Sequence, residues 1–176
     1  MGDFVKGPVP KHLPSELRQH LQLHRLIDSY TTESPAFQSS RRRLDPRFRY
    51  ARGVLVDVFY DHFLACNWSY YSQSQLTDFA QDVYRGLQSC YELLPESLQH
   101  QLPRMIEYDW LTSYRQPDVV LRVLQRLETR LRYKFPLAEG FSELERCQIE
   151  LKSDFTNFMC ETDSLMECLR EKASNV

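Results

Sequence analysis

The stretch RGVLVDVFYDHFLACNW, Arg52 to Trp68, carries apolar residues nearly all the way round a helical period, the pattern of a helix packed on every side. Asp57, Asp61 and His62 interrupt it, and the uninterrupted apolar runs fall short of the roughly 18 to 20 residues that span a bilayer. No transmembrane helix is expected. Gly53 is its weak point as a helix and a place where a neighbour can pack closely.

Outward from this segment the pattern stays helical. The chain has 176 residues, 42% hydrophobic and 26% charged, enough for one domain with a substantial core. It has only five glycines and little alternating Val, Ile or Thr. An all-α fold is expected, a single-domain helical bundle over 1–176, with no linker, repeat or low-complexity run.

Ser15 opens a helix with Leu17, Leu21, Leu23 and Ile27 on one side, running to about Tyr30, where Thr31, Thr32, Ser34 and Pro35 break it. A short helix over 36–44 precedes the start signal Asp45-Pro46, and the central helix covers 48–68. A helix over 76–94 carries Phe79, Val83, Leu87, Tyr91 and Leu94 inward. Pro95 and Pro103 punctuate a shorter helical region ending near Tyr114. Pro117 starts a helix with Val120, Leu124, Leu127 and Leu131 inward, Pro136 stops it, and a last helix covers 141–171.

The N-terminus lacks the apolar region and cleavage site of a signal peptide. Five cysteines, an odd number with no C-x-x-C pair, argue against a disulfide framework and a structural zinc site. They fit a reduced, cytoplasmic compartment, each thiol acting as a small hydrophobe.

The net charge of −2 hides an uneven distribution. Arg41, Arg42, Arg43, Arg47, Arg49 and Arg52 stand against Asp45 alone, whereas Glu139 to Glu171 holds nine acids against three bases. The basic stretch either steers an anionic partner or is a solvated helix face. It is short, has few interleaved aromatics and belongs to a chain of pI 6.2, so nucleic acid is not expected as a partner.

Two constellations carry candidate chemistry. In HRLID, His24 and Asp28 share a helix face at i and i+4, with His20 one turn earlier. This is either a surface column with a weak His–Asp pair or part of a ligand set. In the opening stretch, Asp57 and Asp61 are also at i and i+4, beside His62, with apolar flanks that leave no wide polar face. A buried carboxylate needs a positive partner, either one of the nearby arginines or a metal ion. Mixed imidazole and carboxylate donors suit Mn²⁺, Fe²⁺ or Mg²⁺ and read as metal-assisted hydrolysis of a phosphate ester. The aromatic patches NWSYYS (67–72) and YDWLTSY (108–114) are expected mostly in the core.

GDFVKG (2–7), LHRLIDSYT (23–31), SRRRL (40–44) and above all DVFYDHFLACNW (57–68) resemble the bacterial acyl carrier protein phosphodiesterase family, with weaker similarity in WLTSYR (110–115) and VLQRLETR (123–130). The resemblance implies an all-α fold distantly like the HD-type metal phosphohydrolases. It implies cleavage of the phosphodiester joining 4′-phosphopantetheine to a serine of acyl carrier protein, with a divalent cation, typically Mn²⁺. Carried over, Asp3, His24, Asp28, Asp61 and His62 are expected at the metal, Asp57 and Asp61 in catalysis, and Arg25, Arg41, Arg42 and Arg49 at the acidic protein substrate.

Two departures accompany the resemblance. The Thr-Asp pair that commonly follows the family's HRRID motif is Thr31-Thr32 here, and Met1 directly abuts GDFVKG where the family carries a histidine-containing helix, so either the start is assigned too far downstream or the N-terminus is truncated. The alternatives are an HD-like phosphohydrolase of a nucleotide or other small phosphate ester, and a non-catalytic helical module that binds the carrier protein.

Overall fold

Nine α-helices follow one another in the described residues of the computed structural model, 7–10 and 13–174, with side chains through Glu171. They are α1 (Ser15–Glu33), α2 (Pro35–Arg43), α3 (Ala51–Cys66), α4 (Leu76–Ser89), α5 (Glu96–Glu107), α6 (Trp110–Ser113), α7 (Pro117–Arg130), α8 (Phe141–Arg146) and α9 (Gln148–Ser174). No strand occurs among the described residues, and the all-α expectation holds. None of these helices is long and apolar enough to cross a membrane.

Local chemistry explains where the boundaries differ from those expected. Thr31 and Thr32 do not stop α1, because β-branched residues only lower helix propensity slightly. The stop comes at Ser34, whose hydroxyl accepts from Phe37 N at 3.1 Å and caps α2, with Pro35 in its first turn. Asp45-Pro46 starts a 3₁₀ turn, capped by the Asp45 carboxylate on Arg47 N at 2.8 Å, and α3 begins only at Ala51. Pro103 lies inside α5 instead of bounding it, and Cys147 separates α8 from α9 within the expected last helix.

The chain divides into two compact units, each assembled from two stretches of sequence. The boundaries at 30/31 and 63/64 fall inside α1 and α3, and no loop or linker marks them.

One unit comprises 1–30 and 64–116. Its core gathers Leu94, Leu98 and Leu102 with Leu87, Cys90, Met105 and Ile106. Of the stripe expected over 76–94, Leu87 and Leu94 lie in this core and Val83 is half-buried, whereas Tyr91 is exposed and Phe79, 40% exposed, lies against Trp68 with ring centres 4.8 Å apart; the buried residues of α4 are Leu76, Ala80 and Tyr84. The expectation of buried aromatics fails here. Tyr70 and Tyr108 are exposed and Trp68, Tyr71, Trp110 and Tyr114 only half-buried, because their segments are short turns without a repeating apolar face.

The other unit comprises 31–63 and 117–176. Tyr60 stands at its aromatic centre, with Phe37, Phe155 and Phe158 at 5.8, 5.2 and 5.3 Å between ring centres. Polar groups lock α2 to α9 around that centre. Asp154, 5% exposed, takes Arg43 Nε at 2.6 Å and Nη2 at 3.1 Å, and accepts from Ser40 Oγ at 3.1 Å. Ser40 Oγ and Tyr60 Oη are 2.9 Å apart. Burial pushes the Tyr60 phenol up, so it keeps its proton, and with the Ser40 proton given to Asp154 the phenol donates to Ser40. At the N-cap of α2, Ser34 Oγ donates to Glu161 Oε2 at 2.5 Å.

At the head of α8, Glu143 is buried and binds Arg146 Nη2 at 2.5 Å and Asp45 N at 2.8 Å. The Arg146 hydrogen bonds hold its carboxyl below the usual range against the opposing effect of burial, with help from the Asp45 amide. The thiols serve less as packing residues than expected. Cys147 is buried and burial pushes its thiol up, but Cys66, Cys160 and Cys168 are exposed, and none of the five forms a disulfide.

Candidate functional site

The candidate residues within the described part of the chain fall in helices α1, α2 and α3 and the turn between the last two. On α1, His24 Nδ1 lies 3.0 Å from Asp28 Oδ2, the i, i+4 pair expected of HRLID. The Asp28 side chain is 59% exposed. Arg25 follows on the same helix, half-buried. Asp3 lies outside the described residues.

On α3 the placement differs from the expectation. Asp57 and Asp61 are exposed, not buried, whereas His62 is 7% exposed beside Phe63, with ring centres 5.7 Å apart. A narrow stripe of the helix reaches the surface. Positions 53, 54, 57, 61 and 64 follow a helical period, and each is exposed or half-buried while Leu55, Val56, Phe59, Tyr60 and Phe63 are buried. The two carboxylates share that stripe one turn apart. The burial cost that appeared to demand a cation therefore falls away for Asp57 and Asp61.

Among the described residues no group of three or more His, Cys, Asp or Glu side chains is placed to hold a metal ion. His24 and Asp28 supply an imidazole and a carboxylate in contact, which is two donors of a set that needs more. The described residues alone do not make up the expected cation cage.

The arginine cluster separates into two kinds. Arg43 is committed to Asp154, and Arg47 pairs with Glu139 at 3.1 Å and covers the Phe48 ring at 4.7 Å. These two hold the fold. Arg42 and Arg49 are exposed and form no ion pair among the described residues. Arg49 has φ 49°, an unusual value for a residue with a side chain, and follows the buried Phe48 at the end of the 3₁₀ turn. Arg41 is half-buried, with Nη1 donating to Gln38 Oε1 at 3.4 Å. Among the described residues its buried Nε has no hydrogen-bond partner.

A family model described as acyl carrier protein phosphodiesterase matches residues 1–162. The chain belongs to the acyl carrier protein phosphodiesterase family. The match spans every candidate residue, from Asp3 to His62. Relatives carrying the name acyl carrier protein phosphodiesterase include one from Klebsiella pneumoniae, 27% identical over 166 residues, covering 90% of this chain and 82% of that protein. One from Pectobacterium atrosepticum is 26% identical over 147 residues, 83% of this chain and 76% of its own length. Another from Escherichia coli O157:H7 is 26% identical over 166 residues, with 90% and 82% covered. No solved structure matches the chain. The expected kinship to HD-type phosphohydrolases stays with the sequence resemblance.

Sequence reasoning placed YDWLTSY mostly in the core and missed what it builds. Residues Tyr108, Asp109, Thr112, Ser113, Arg115 and Gln116 line a cleft of about 350 Å³ within the first unit. The available signal was Asp109, a favoured N-cap residue type, inside the helical region expected to end near Tyr114.

Proposed function

We propose that this protein hydrolyses the phosphodiester between 4′-phosphopantetheine and a serine of holo acyl carrier protein, releasing apo acyl carrier protein and free 4′-phosphopantetheine. The observation that carries the reading is the family match over 1–162, which includes each residue proposed for the site. In the reaction, water adds to phosphorus, the bond from phosphorus to the serine oxygen breaks, and that oxygen leaves with a proton. Asp57 and Asp61 are the proposed proton carriers. Their exposure supports the role, because a phosphodiester borne on a protein surface reaches a carboxylate only at the enzyme's own surface.

A divalent cation, Mn²⁺ first and Mg²⁺ or Fe²⁺ as alternatives, is proposed on the donor types of Asp3, His24, Asp28, Asp61 and His62. It would supply charge neutralisation at the phosphoryl oxygens. Arg25, Arg41, Arg42 and Arg49 are proposed to face the acidic carrier protein, and a cytoplasmic location is proposed on the free thiols. Arg42 and Arg49, exposed and without an ion pair among the described residues, would steer an anionic partner and lose that effect as salt rises.

The test is intact-mass spectrometry of holo acyl carrier protein incubated with the protein, with and without Mn²⁺ and a chelator. Conversion to the apo mass that depends on added metal is the expected result. No loss of the arm with any of the three metals refutes the reading. Faster turnover of bis(p-nitrophenyl) phosphate than of the carrier protein would instead favour a small-ester phosphohydrolase.

A further inference from the structure

Among the described residues, four with side chains take a left-handed φ: Arg49, Asp109, Arg132 and Tyr133. At Asp109, φ 40°, the backbone is fixed from another helix, since Tyr84 Oη donates to Asp109 Oδ1 at 3.1 Å and accepts from Leu111 N at 3.0 Å. Arg132 and Tyr133 are consecutive, at φ 54° and 56°, in the turn that ends α7. Tyr133 N donates to Glu128 O at 2.9 Å and Arg132 N to Thr129 O at 3.0 Å, the pattern in which a helix commonly ends with glycine at the position of Arg132. Glycine would adopt it without strain. The turn places a cation and an aromatic ring there instead, and backbone strain of this kind points to a use for the side chains that bear it.

Every residue from Thr129 to Lys134 is exposed, so the turn projects from its unit. Arg126, Arg130, Arg132 and Lys134 are exposed and form no ion pair among the described residues. The carboxylates nearest in sequence are already engaged: Asp118 with Arg122, Glu128 with Ala138 N at 2.8 Å, and Glu139 with Arg47. Between the cations stand Leu131, 36% exposed, and Tyr133, 69% exposed. Thr129 Oγ1 lies 3.4 Å from Tyr133 Oη, which holds the ring beside the last turn of α7. Just after the turn, Gly140 packs on α3 at Leu55, where an added Cβ would lie 2.5 Å from Leu55 Cδ2. Leu55 is rotated by about 160° from Asp57 around that helix. The chain that carries the turn therefore packs on the side of α3 away from the proposed catalytic carboxylates, and a substrate seated at Asp57 and Asp61 does not account for this second basic surface.

We propose that the turn from Arg126 to Lys134 is a docking surface for an anionic lipid bilayer, with Arg126, Arg130, Arg132 and Lys134 on the lipid phosphates and Leu131 and Tyr133 at the headgroup level. Each Lys or Arg near an anionic bilayer raises partitioning about fivefold, and buried apolar area adds to that attraction. Tyrosine suits the headgroup level because its ring is apolar and its hydroxyl stays wet. A protein partner fits less well, because a stable interface takes about 20–30 residues from each side and this projecting turn offers few. Nucleic acid leaves Leu131 without a role, since its contacts are phosphates and base faces.

Co-sedimentation of the full chain with vesicles of phosphatidylcholine alone, and of phosphatidylcholine and phosphatidylglycerol in equal parts, tests this at low and at high salt. Binding about tenfold or more stronger to the anionic vesicles, lost at high salt, is expected. Arg130→Gln and Arg132→Gln together should weaken it about 25-fold. Tyr133→Trp should show an emission blue shift on vesicle addition that the wild type, with Trp68 and Trp110, does not. All the changed positions are exposed, so the fold is retained. Equal binding to both vesicle types, wild-type binding in the double variant, or no added shift in Tyr133→Trp would each overturn the proposal. So would binding that is lost in Arg42→Gln with Arg49→Gln but kept in the Arg130 and Arg132 variant. If that variant loses affinity for holo acyl carrier protein while the wild type ignores vesicles, the surface belongs to an acidic protein and the lipid assignment is refuted. Vesicle binding is read without turnover, so its failure and a failure of the hydrolase reading are distinguishable.

Discussion

Replacing Asp154 by alanine should destabilise the protein without touching its substrate-facing residues, because Asp154 is the point at which α2 and α9 are tied. The carboxylate receives two bonds from Arg43 and one from Ser40, and the Tyr60 phenol stands behind Ser40. Removing one partner of a buried pair costs about 3–5 kcal/mol when the survivor stays in a dry interior. Arg43 keeps 38% of its side chain exposed, against 7% for Asp154, so water takes over part of the lost contact. The expected loss is therefore about 2–3 kcal/mol after that discount. For a chain of this size it lowers Tm by about 5–10 °C.

Urea unfolding followed by circular dichroism, run on Asp154→Ala, Arg43→Ala and the double variant, measures both the loss and its origin. A coupling of about 1–2 kcal/mol between the two positions is expected from the cycle. A loss for Asp154→Ala below about 0.5 kcal/mol, the range of surface substitutions, would refute the assignment of Arg43 to the fold. So would a coupling near zero.

Three further outcomes follow from particular contacts. Glu143 is held below its ordinary value in the folded state, so its contribution to stability is complete above the unfolded carboxylate range and is lost as pH falls through the lower folded value. Glu143→Gln should therefore lower stability at pH 7 and flatten the acid limb of a pH-dependent denaturation series. Gly140→Ala would place its Cβ 2.5 Å from Leu55 Cδ2 and 3.0 Å from Leu137 O, both residues fully buried, and should cost about 1–3 kcal/mol by overpacking in the same urea assay. Charge reversal at Arg42 and Arg49 together should raise KM for holo acyl carrier protein and reduce its salt dependence, with Tm within about 2 °C of wild type, a small surface effect.

Much of the helical order was readable because apolar spacing and Pro or Ser start signals are local. The capped starts at Ser34-Pro35 and Asp45-Pro46 and the helix opening at Pro117 all stand where their chemistry puts them. The exposure of Asp57 and Asp61 was not readable, because the stripe that reaches the surface also carries Val54 and Leu64, and composition gave it no polar signature. His62, one position on and rotated by about 100°, is buried by the same geometry.

The arginines show a second limit. Six cations in twelve residues look alike in sequence, and only the distant partners Asp154 and Glu139 reveal that Arg43 and Arg47 belong to the fold while Arg42 and Arg49 face outward. Residues brought together over a hundred positions leave no local trace. The turn at Asp109 fails for a related reason, since its unusual backbone is fixed by Tyr84 from another helix.

The central claim is that water attacks phosphorus and releases the arm from an intact serine. Incubating holo acyl carrier protein with the protein in H₂¹⁸O, followed by mass spectrometry of both products, tests it most directly. One ¹⁸O in the phosphate of released 4′-phosphopantetheine, with carrier protein at the unlabelled apo mass, is the predicted result. Label in the serine, a dehydroalanine mass in the carrier protein, or no release of the arm would contradict the account.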